Sequence, residues 1–259
     1  MNKNSQCYVH PKARVAQTAR LHPYCYIDAD VDIADDCEVY PHASVMQGSK
    51  LDTGTKIYHG AVVGSTPQDL QFQGQHSGVH IGKNVVIREY CTIHRSSREG
   101  MYTSIGEGTL LMAYAHVAHD CRVGKHCILV NNINLAGYVE LGDHVYIGGA
   151  TQVQQFVRIG AHAFIGGNCS VRKDVPPYVK AAREPLQYMG VNHVGLRRHG
   201  FSDDQIRRIH EIYRLVYVVH SNIHRGLEEA ERHYGDSAEF QAIASFIRQS
   251  KNGVIKGPA

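Results

Sequence analysis

The segment His116-Val117-Ala118-His119-Asp120 sets two imidazoles and a carboxylate on one short stretch of chain. An Asp beside a His can fix the ring's tautomer and favour the imidazolium that forms when the ring takes a proton. His119 with Asp120 is therefore a candidate general base. The motif is short and recurs by chance, so its weight depends on what the fold stacks around it.

The elements that must position it announce themselves by a six-residue beat. Aliphatic residues recur at Val9, Val15, Leu21, Ile27, Ile33, Val39, Val45, Leu51, Ile57 and Val63, again at Ile81, Ile87 and Ile93, and from Ile105 through Leu111, Val117 and onward to Ile165 and Val171. Among these slots only Asp69, Gln75 and Glu99 break the pattern. A helix needs a period near 3.6 and a plain strand one near 2; a hexapeptide repeat marks a parallel β-helix. Three hexads make one triangular coil, so residues 18 apart stack in columns, roughly 4.8 Å per step.

Column arithmetic sharpens the site. Stepping by 18 from His119 reaches Gly137 and then Gln155. A base, a glycine with an unobstructed N–H and an amide would share one line, which is a general base with an oxyanion donor beside it. The same arithmetic argues against a metal. His126, His144 and His162 form one column, and steps of about 4.8 Å are too long for three nitrogens at about 2.0–2.1 Å from one zinc. These are expected as solvated corner residues, and His10, His22, His42 and His59 as surface groups. A γ-class carbonic anhydrase would need three converging zinc histidines, a spacing absent from the sequence.

The slot two residues before each aliphatic is small or β-branched, as at Ala43, Thr55, Ala61, Thr109 and Ala163. All seven cysteines (Cys7, Cys25, Cys37, Cys91, Cys121, Cys127 and Cys169) fall in it. Cys behaves as a small buried hydrophobe, so packing thiols are expected. With an odd cysteine count, no signal peptide and no long apolar run, a reducing cytoplasm and no transmembrane segment are expected. Glycines after the aliphatic slot (Gly64, Gly82, Gly106, Gly124, Gly142, Gly148, Gly160 and Gly166) read as corners of positive φ. Residues 65–78 and 95–103 leave the beat and return in register, so they are loops on an intact prism. Loops kept on a regular solenoid are more often functional than accidental.

The expected architecture is mainly β: a left-handed parallel β-helix over 1–177, then a connector and a small α-helical cap over 178–259. Pro176-Pro177 marks the boundary, and Ser202 with Gln205 reads as a capping box. An amphipathic stripe runs from Ile206 to Val219, and further helices are expected near 224–233 and 237–249, the latter capped by Ser237. A net charge of +3 over 259 residues, with no aromatic, Arg-rich strand motif, excludes a nucleic-acid binder. A triangular prism has flat faces that suit cyclic association, so a homotrimer with sites in the clefts between subunits is expected.

At this point the residues resemble a known family. The chain is similar to the bacterial UDP-N-acetylglucosamine O-acyltransferases over essentially its whole length. The likeness rests on the prism and on PQDL at Pro67–Leu70, TIHR at Thr92–Arg95, HVAHD at His116–Asp120 and NN…LAG at Asn131–Gly137. It continues through DVPPYV at Asp174–Val179, GVN at Gly190–Asn192 and GLRRHGFS at Gly195–Ser202. The resemblance implies transfer of an (R)-3-hydroxyacyl chain from acyl carrier protein to the 3-hydroxyl of UDP-N-acetylglucosamine, the first step of lipid A synthesis. No cofactor is implied beyond the carrier's own phosphopantetheine arm. It implies His119 as base, Asp120 as its orienting partner and the Gly137 N–H as oxyanion donor. Asp69 and His116 would position the glucosamine, Gln155 would contact the nucleotide sugar, and Asn192 and Arg198 would bind uridine and phosphate, with Arg197 and His94 in support. Tyr138 and Gln154 stand where the family usually has histidines, and Val194 where it has a glutamate. Gly167, in the turn Ile165-Gly166-Gly167-Asn168, would leave the acyl groove open to long chains. Arg122, Lys125, Arg158, Arg172, Lys173, Lys180 and Arg183 are candidate contacts for an acidic carrier protein.

Two alternatives stay open on the residues. One is an acyltransferase of the same prism acting on another nucleotide sugar, such as a 3-amino analogue; a related N-acyltransferase would carry an extra amino-terminal domain, and here the beat begins at Val9. The other is a non-catalytic nucleotide-sugar-binding paralogue, favoured by Tyr138 and Gln154 and opposed by His119-Asp120.

Overall fold

The computed structural model describes residues 6–257. Its strands, most of two residues, wind as a left-handed parallel β-helix with three faces. A first face of nine strands runs from Tyr8–Val9 to Ser170–Val171; a second of eight runs from Arg14–Val15 to Arg158–Ile159. A third of ten runs from Arg20–Leu21 through Phe164–Ile165 to Val179–Ala182, then Gln187–Val191. The third face thus carries one parallel strand beyond residue 177, and only its last pairing is antiparallel. Pairing such as Asn134↔Gln152 and Arg122↔Glu140 keeps the one-coil register. The aliphatic slots point inward, with Ile27, Ile57, Ile87, Leu111, Leu135 and Ile165 all fully buried. Buried threonines beside them are satisfied by the next coil: the hydroxyls of Thr109 and Thr151 donate to the carbonyls of Gly124 and Gly166 at 2.9 and 3.0 Å.

The corners differ from expectation. Left-handed φ falls not after the aliphatic slot but two positions later, at Tyr24, His42, Tyr90, Tyr114, Asp120, His126, Tyr138, His144, Phe156 and His162. Of the eight glycines expected there, only Gly64 has positive φ. The others are glycine for want of space: a Cβ on Gly106 or Gly124 would lie 2.5 Å from the backbone of the next coil. Many of the left-handed corner positions are occupied by rings that stack one coil apart, such as Tyr90 on Tyr114 and Tyr138 on Phe156 at 5.4 and 4.8 Å, and others by Asp, Asn or glycine, as at Asp30, Asn84, Gly54 and Gly60. Aromatic stacking offsets part of the cost of a non-glycine residue there.

The cysteines also need correction at one pair. Five are free and buried, but Cys7 and Cys25 are joined as a disulfide. They are the two cysteines one coil apart in one column, with Cα atoms 5.1 Å apart, inside bridging reach. Burial pushes the Cys91, Cys121 and Cys127 thiols up to about 12, which keeps them inert.

Beyond the prism lie α1 (His193–Arg198), α2 (Asp203–Arg214), a π-helical turn (Leu215–Val219), α3 (Ile223–Tyr234) and α4 (Ala238–Arg248). Ser202 and Gln205 form the expected capping box, and Ser237 caps α4. The short α1 was hidden inside the connector. Ile206, Ile209, Ile212 and Tyr213 are buried against the prism end, where the Tyr213 hydroxyl donates to the Pro177 carbonyl at 2.6 Å. No helix among the described residues is long and apolar enough to cross a membrane.

Candidate active site

The turn at His119-Asp120 lies on the edge between the first face (His116–Val117) and the second (Arg122–Val123). Asp120 takes left-handed φ, and its N–H donates to the Thr103 hydroxyl at 2.8 Å, which locks the turn. His119 Nδ1 lies 2.9 Å from Asp120 Oδ2. Burial opposes the Asp120 charge, but hydrogen bonds from Ser96, His119 and Ser97 outweigh it and hold the carboxyl well below the usual carboxylate range. An ionised Asp120 accepts from Nδ1–H, so the free lone pair of His119 is on Nε2, as a base requires.

The predicted column is present. Tyr138 N–H donates to the His119 carbonyl and Phe156 N–H to the Gly137 carbonyl, both at 3.1 Å. A Cβ built on Gly137 would lie 2.8 Å from His119 Nε2, so the Gly137 backbone sits against the ring's reactive edge. Among the described residues no acceptor is paired with the Gly137 N–H. Tyr138 meets the His119 ring edge-on at 5.3 Å, and its hydroxyl lies 3.3 Å from Ser97 Oγ. On the first face, His116 Nδ1 is 2.7 Å from the Thr92 hydroxyl, and His94 meets the His116 ring at 5.0 Å. Burial, then the neighbouring histidines, lowers both: His116 falls below its ordinary value and His94 to about 4. Near neutral pH both are uncharged.

The other expected residues are not all brought together. Gln154 and Gln155 are exposed on the same edge, one coil beyond Gly137. Asp69 is half-buried in its own loop, where its carboxylate accepts from the Gln71 N–H at 2.9 Å. Asn192 caps α1 through Gly195 N–H and donates to the His162 carbonyl at 2.9 Å. With Arg198 it lines a cavity of about 400 Å³ floored by Ile128, Tyr146 and Phe164 of the third face. That cavity lies beside the edge between the second and third faces. Gly167 lies on the remaining edge, between the third and first. One chain therefore distributes the expected residues over all three edges.

Of the histidine column His126 is exposed as expected, but His144 and His162 are half-buried. His126, His144 and His162 stack at 5.1 and 4.7 Å, and His199 from the end of α1 wedges against them, its Nδ1 3.1 Å from His162 Nδ1. Likewise His22 is not a lone surface group but pairs with Glu38 at 3.0 Å. Among the described residues no group of three or more His, Cys, Asp or Glu is placed to share a metal ion.

Sequence reasoning missed the residues that hold Asp120: Ser96, Ser97, Arg98 and Thr103. A signal existed. One coil back from His119 the column reaches Met101, inside the loop 95–103. Another groove, of about 950 Å³, opens beside this edge along the second face, lined by Arg98, Asp120, Arg122, Tyr138, Phe156 and Arg158 and by the tail at Arg248–Asn252.

Comparison with known proteins agrees with this architecture. Residues 174–255 match the family described as UDP N-acetylglucosamine O-acyltransferase, domain 2, and residues 102–132 match the bacterial transferase hexapeptide (six repeats). The acyl-[acyl-carrier-protein]–UDP-N-acetylglucosamine O-acyltransferase of Thermodesulfovibrio yellowstonii is 37% identical over 96% of both chains. That of Saccharophagus degradans is 39% identical over 96% of both. The crystal structure of a UDP-N-acetylglucosamine acyltransferase from Bacteroides fragilis superposes with a TM-score of 0.94 at 38% identity, covering 98% of this chain and 99% of that one. At this identity and coverage the chain belongs to the UDP-N-acetylglucosamine O-acyltransferase family.

Proposed function

We propose that this protein transfers an (R)-3-hydroxyacyl chain from acyl carrier protein to the 3-hydroxyl of UDP-N-acetylglucosamine, the step that begins lipid A synthesis. The observation that carries the reading is the buried His119–Asp120 pair at 2.9 Å with the Gly137 backbone against the ring. His119 Nε2 takes the proton of the sugar hydroxyl as its oxygen attacks the thioester carbonyl. The Gly137 N–H stabilises the oxyanion of the tetrahedral intermediate. The C–S bond then breaks, and the imidazolium returns its proton to the pantetheine thiolate. Asp120 stays ionised throughout and orients the ring.

His116, uncharged near neutral pH, and Asp69 position the glucosamine; Tyr138, Gln154 and Gln155 line its edge. Asn192 and Arg198 take the uridine and phosphate. Because these two lie on a different edge from His119, they serve a cleft completed by a second copy, in a homotrimer. The acidic carrier protein docks through the arginines of the groove beside this edge, Arg122 and Arg158, which flank Glu140 at 3.9 and 3.5 Å, with steering that weakens as salt rises.

The deciding assay combines purified protein, a panel of 3-hydroxyacyl carrier proteins, and UDP-N-acetylglucosamine or its 3-amino analogue. The expected product is the 3-O-ester, and His119→Ala should lower kcat by about 10²–10⁴ with an unchanged melting temperature. Amide formed in preference to ester would reassign the acceptor, and a folded His119→Ala with parental kcat would overturn the base.

A further inference from the structure

Orienting one histidine requires one carboxylate oxygen. Asp120 is far more heavily engaged. Its Oδ1 accepts from the Ser96 hydroxyl at 2.5 Å and from Arg98 Nε at 3.0 Å. Its Oδ2 accepts from Ser97 N–H at 3.1 Å, the Ser97 hydroxyl at 2.8 Å and His119 Nδ1 at 2.9 Å. A carboxylate offers about four lone-pair sites, so this one is saturated. Its side chain is fully buried, while that of Arg98 is 48% exposed.

The donors come from three consecutive residues of a loop that is itself braced. Ser96 N–H donates to the Gly78 carbonyl at 3.2 Å, and the Ser77 hydroxyl donates to the Ser96 carbonyl at 2.5 Å. Gly100 N–H donates to the His76 carbonyl at 2.8 Å. The two off-beat loops thus form one unit that ends on Asp120. Arg98 also lies over the Tyr138 ring, 5.5 Å from its centroid, and so touches both groups that flank the base.

We propose that Arg98 is a positioning residue for the His119–Asp120 pair: with Ser96 and Ser97 it fixes the Asp120 carboxylate against His119 Nδ1 and shares its negative charge. The proposal rests on the reading of His119 as base. A carboxylate that leaned on the imidazole alone would over-stabilise the imidazolium and make the base harder to free. Arg98 takes part of that charge, so the carboxylate orients the ring without disabling it.

The test is the pH profile of Arg98→Gln. The charged and titratable groups facing His119 are Asp120 on its own turn, Tyr138 on the next coil, His116 and His94 on the first face, and Arg98 above. Arg122 and Glu140 line the adjoining groove. The acid limb of kcat/KM should move up by roughly 0.5–1 pH unit, a diluted form of the 1–3 unit effect of a directly neighbouring charge. kcat should fall about 10- to 100-fold, as is usual for removing a partner that orients a working group, with KM for the nucleotide sugar nearly unchanged. Arg98→Lys, which keeps the charge, should hold the limb at its parental position.

An unmoved acid limb in folded Arg98→Gln, with His119→Ala inactive, overturns the proposal and spares the base. An active His119→Ala overturns both. If Arg98→Gln does not fold, Arg98→Ala with added guanidinium decides: restored kcat and limb support the proposal, and folded but unrescued protein refutes it. If neither variant folds, Arg98 is a folding residue and the proposal fails.

Discussion

Gly137 packs so tightly on His119 that a Cβ added to it would lie 2.7 Å from the ring's Cε1 and 2.8 Å from Nε2. Its φ is not left-handed, so glycine is required here by space and not by backbone conformation. Gly137→Ala must therefore displace either the ring or the N–H beside it. A shift of about 1 Å at such a position costs on the order of 10² in rate. Steady-state assays should show kcat falling by that order while circular dichroism and melting temperature stay near parental. A folded Gly137→Ala with parental kcat would remove Gly137 from the oxyanion role.

Acid should unseat α1. Burial, then neighbouring histidines, lowers His144 and brings His162 to about 4, while burial, His126 and Arg198 lower His199. These groups take up protons later in the folded state than in the unfolded one. Above pH 6.5 they are neutral in both states and change nothing. As pH falls from about 6.5 toward about 4 the unfolded chain binds more protons and stability is lost. Carboxylates held down by partners, such as Glu38 and Glu239, add their loss only below their ordinary range near 4.5. The His162 contribution is on the order of 2 kcal/mol after discounting its partial exposure. Thermal melts across this window should slope steeply, and His199→Gln should flatten the slope. An identical slope in the variant would sink the idea. Because Arg198 shares α1, KM for the nucleotide sugar should rise over the same window.

The prism was legible because its period is set by one rule, an inward aliphatic residue at every sixth position, which packing makes compulsory. The same register placed Gly137 on His119 and would have paired Cys7 with Cys25. What was not legible is what leaves the repeat. Ser96, Ser97 and Arg98 reach Asp120 from a loop whose path no period describes. His199 reaches the histidine column from a six-residue helix (His193–Arg198) too short to show a stripe. The corner glycines were misread because their reason is contact with the next coil, and a sequence shows no coil-to-coil distance.

His119 and Arg198 lie by different edges of the prism, so under the roles proposed for them a cleft that uses both would draw on two copies of the chain. In a trimer each cleft would take His119 from one copy and Arg198 from its neighbour. His119→Ala and Arg198→Ala should each be nearly inactive alone. Random co-assembly at equal amounts should restore activity in roughly a quarter of clefts, the fraction that draws both intact residues. Mixed trimers with no recovered activity, or a fully active monomer by light scattering, would end this arrangement.

Gly167 should set the acyl-chain length. It sits on the edge between the third and first faces, and its φ is not left-handed, which removes backbone conformation as the reason for glycine. A Cβ there would be 3.2 Å from the Gly149 carbonyl oxygen, a tight contact that a shift of a few tenths of an ångström relieves. Gly167→Met should therefore fold, with a modest drop in melting temperature, and in the proposed trimer should extend a side chain along the groove that a neighbouring copy would complete. Each buried CH₂ of a long acyl chain contributes roughly 0.8 kcal/mol. Blocking three or four of them shifts preference toward shorter donors by about 2–3 kcal/mol, a factor on the order of 10² in relative kcat/KM. The base lies on another edge, so kcat with the shortest accepted donor should stay near parental. A panel of 3-hydroxyacyl carrier proteins of graded length reads this directly. An unchanged length optimum in the folded variant, or equal loss for all donors, would show that Gly167 only relieves contact with Gly149 and measures nothing.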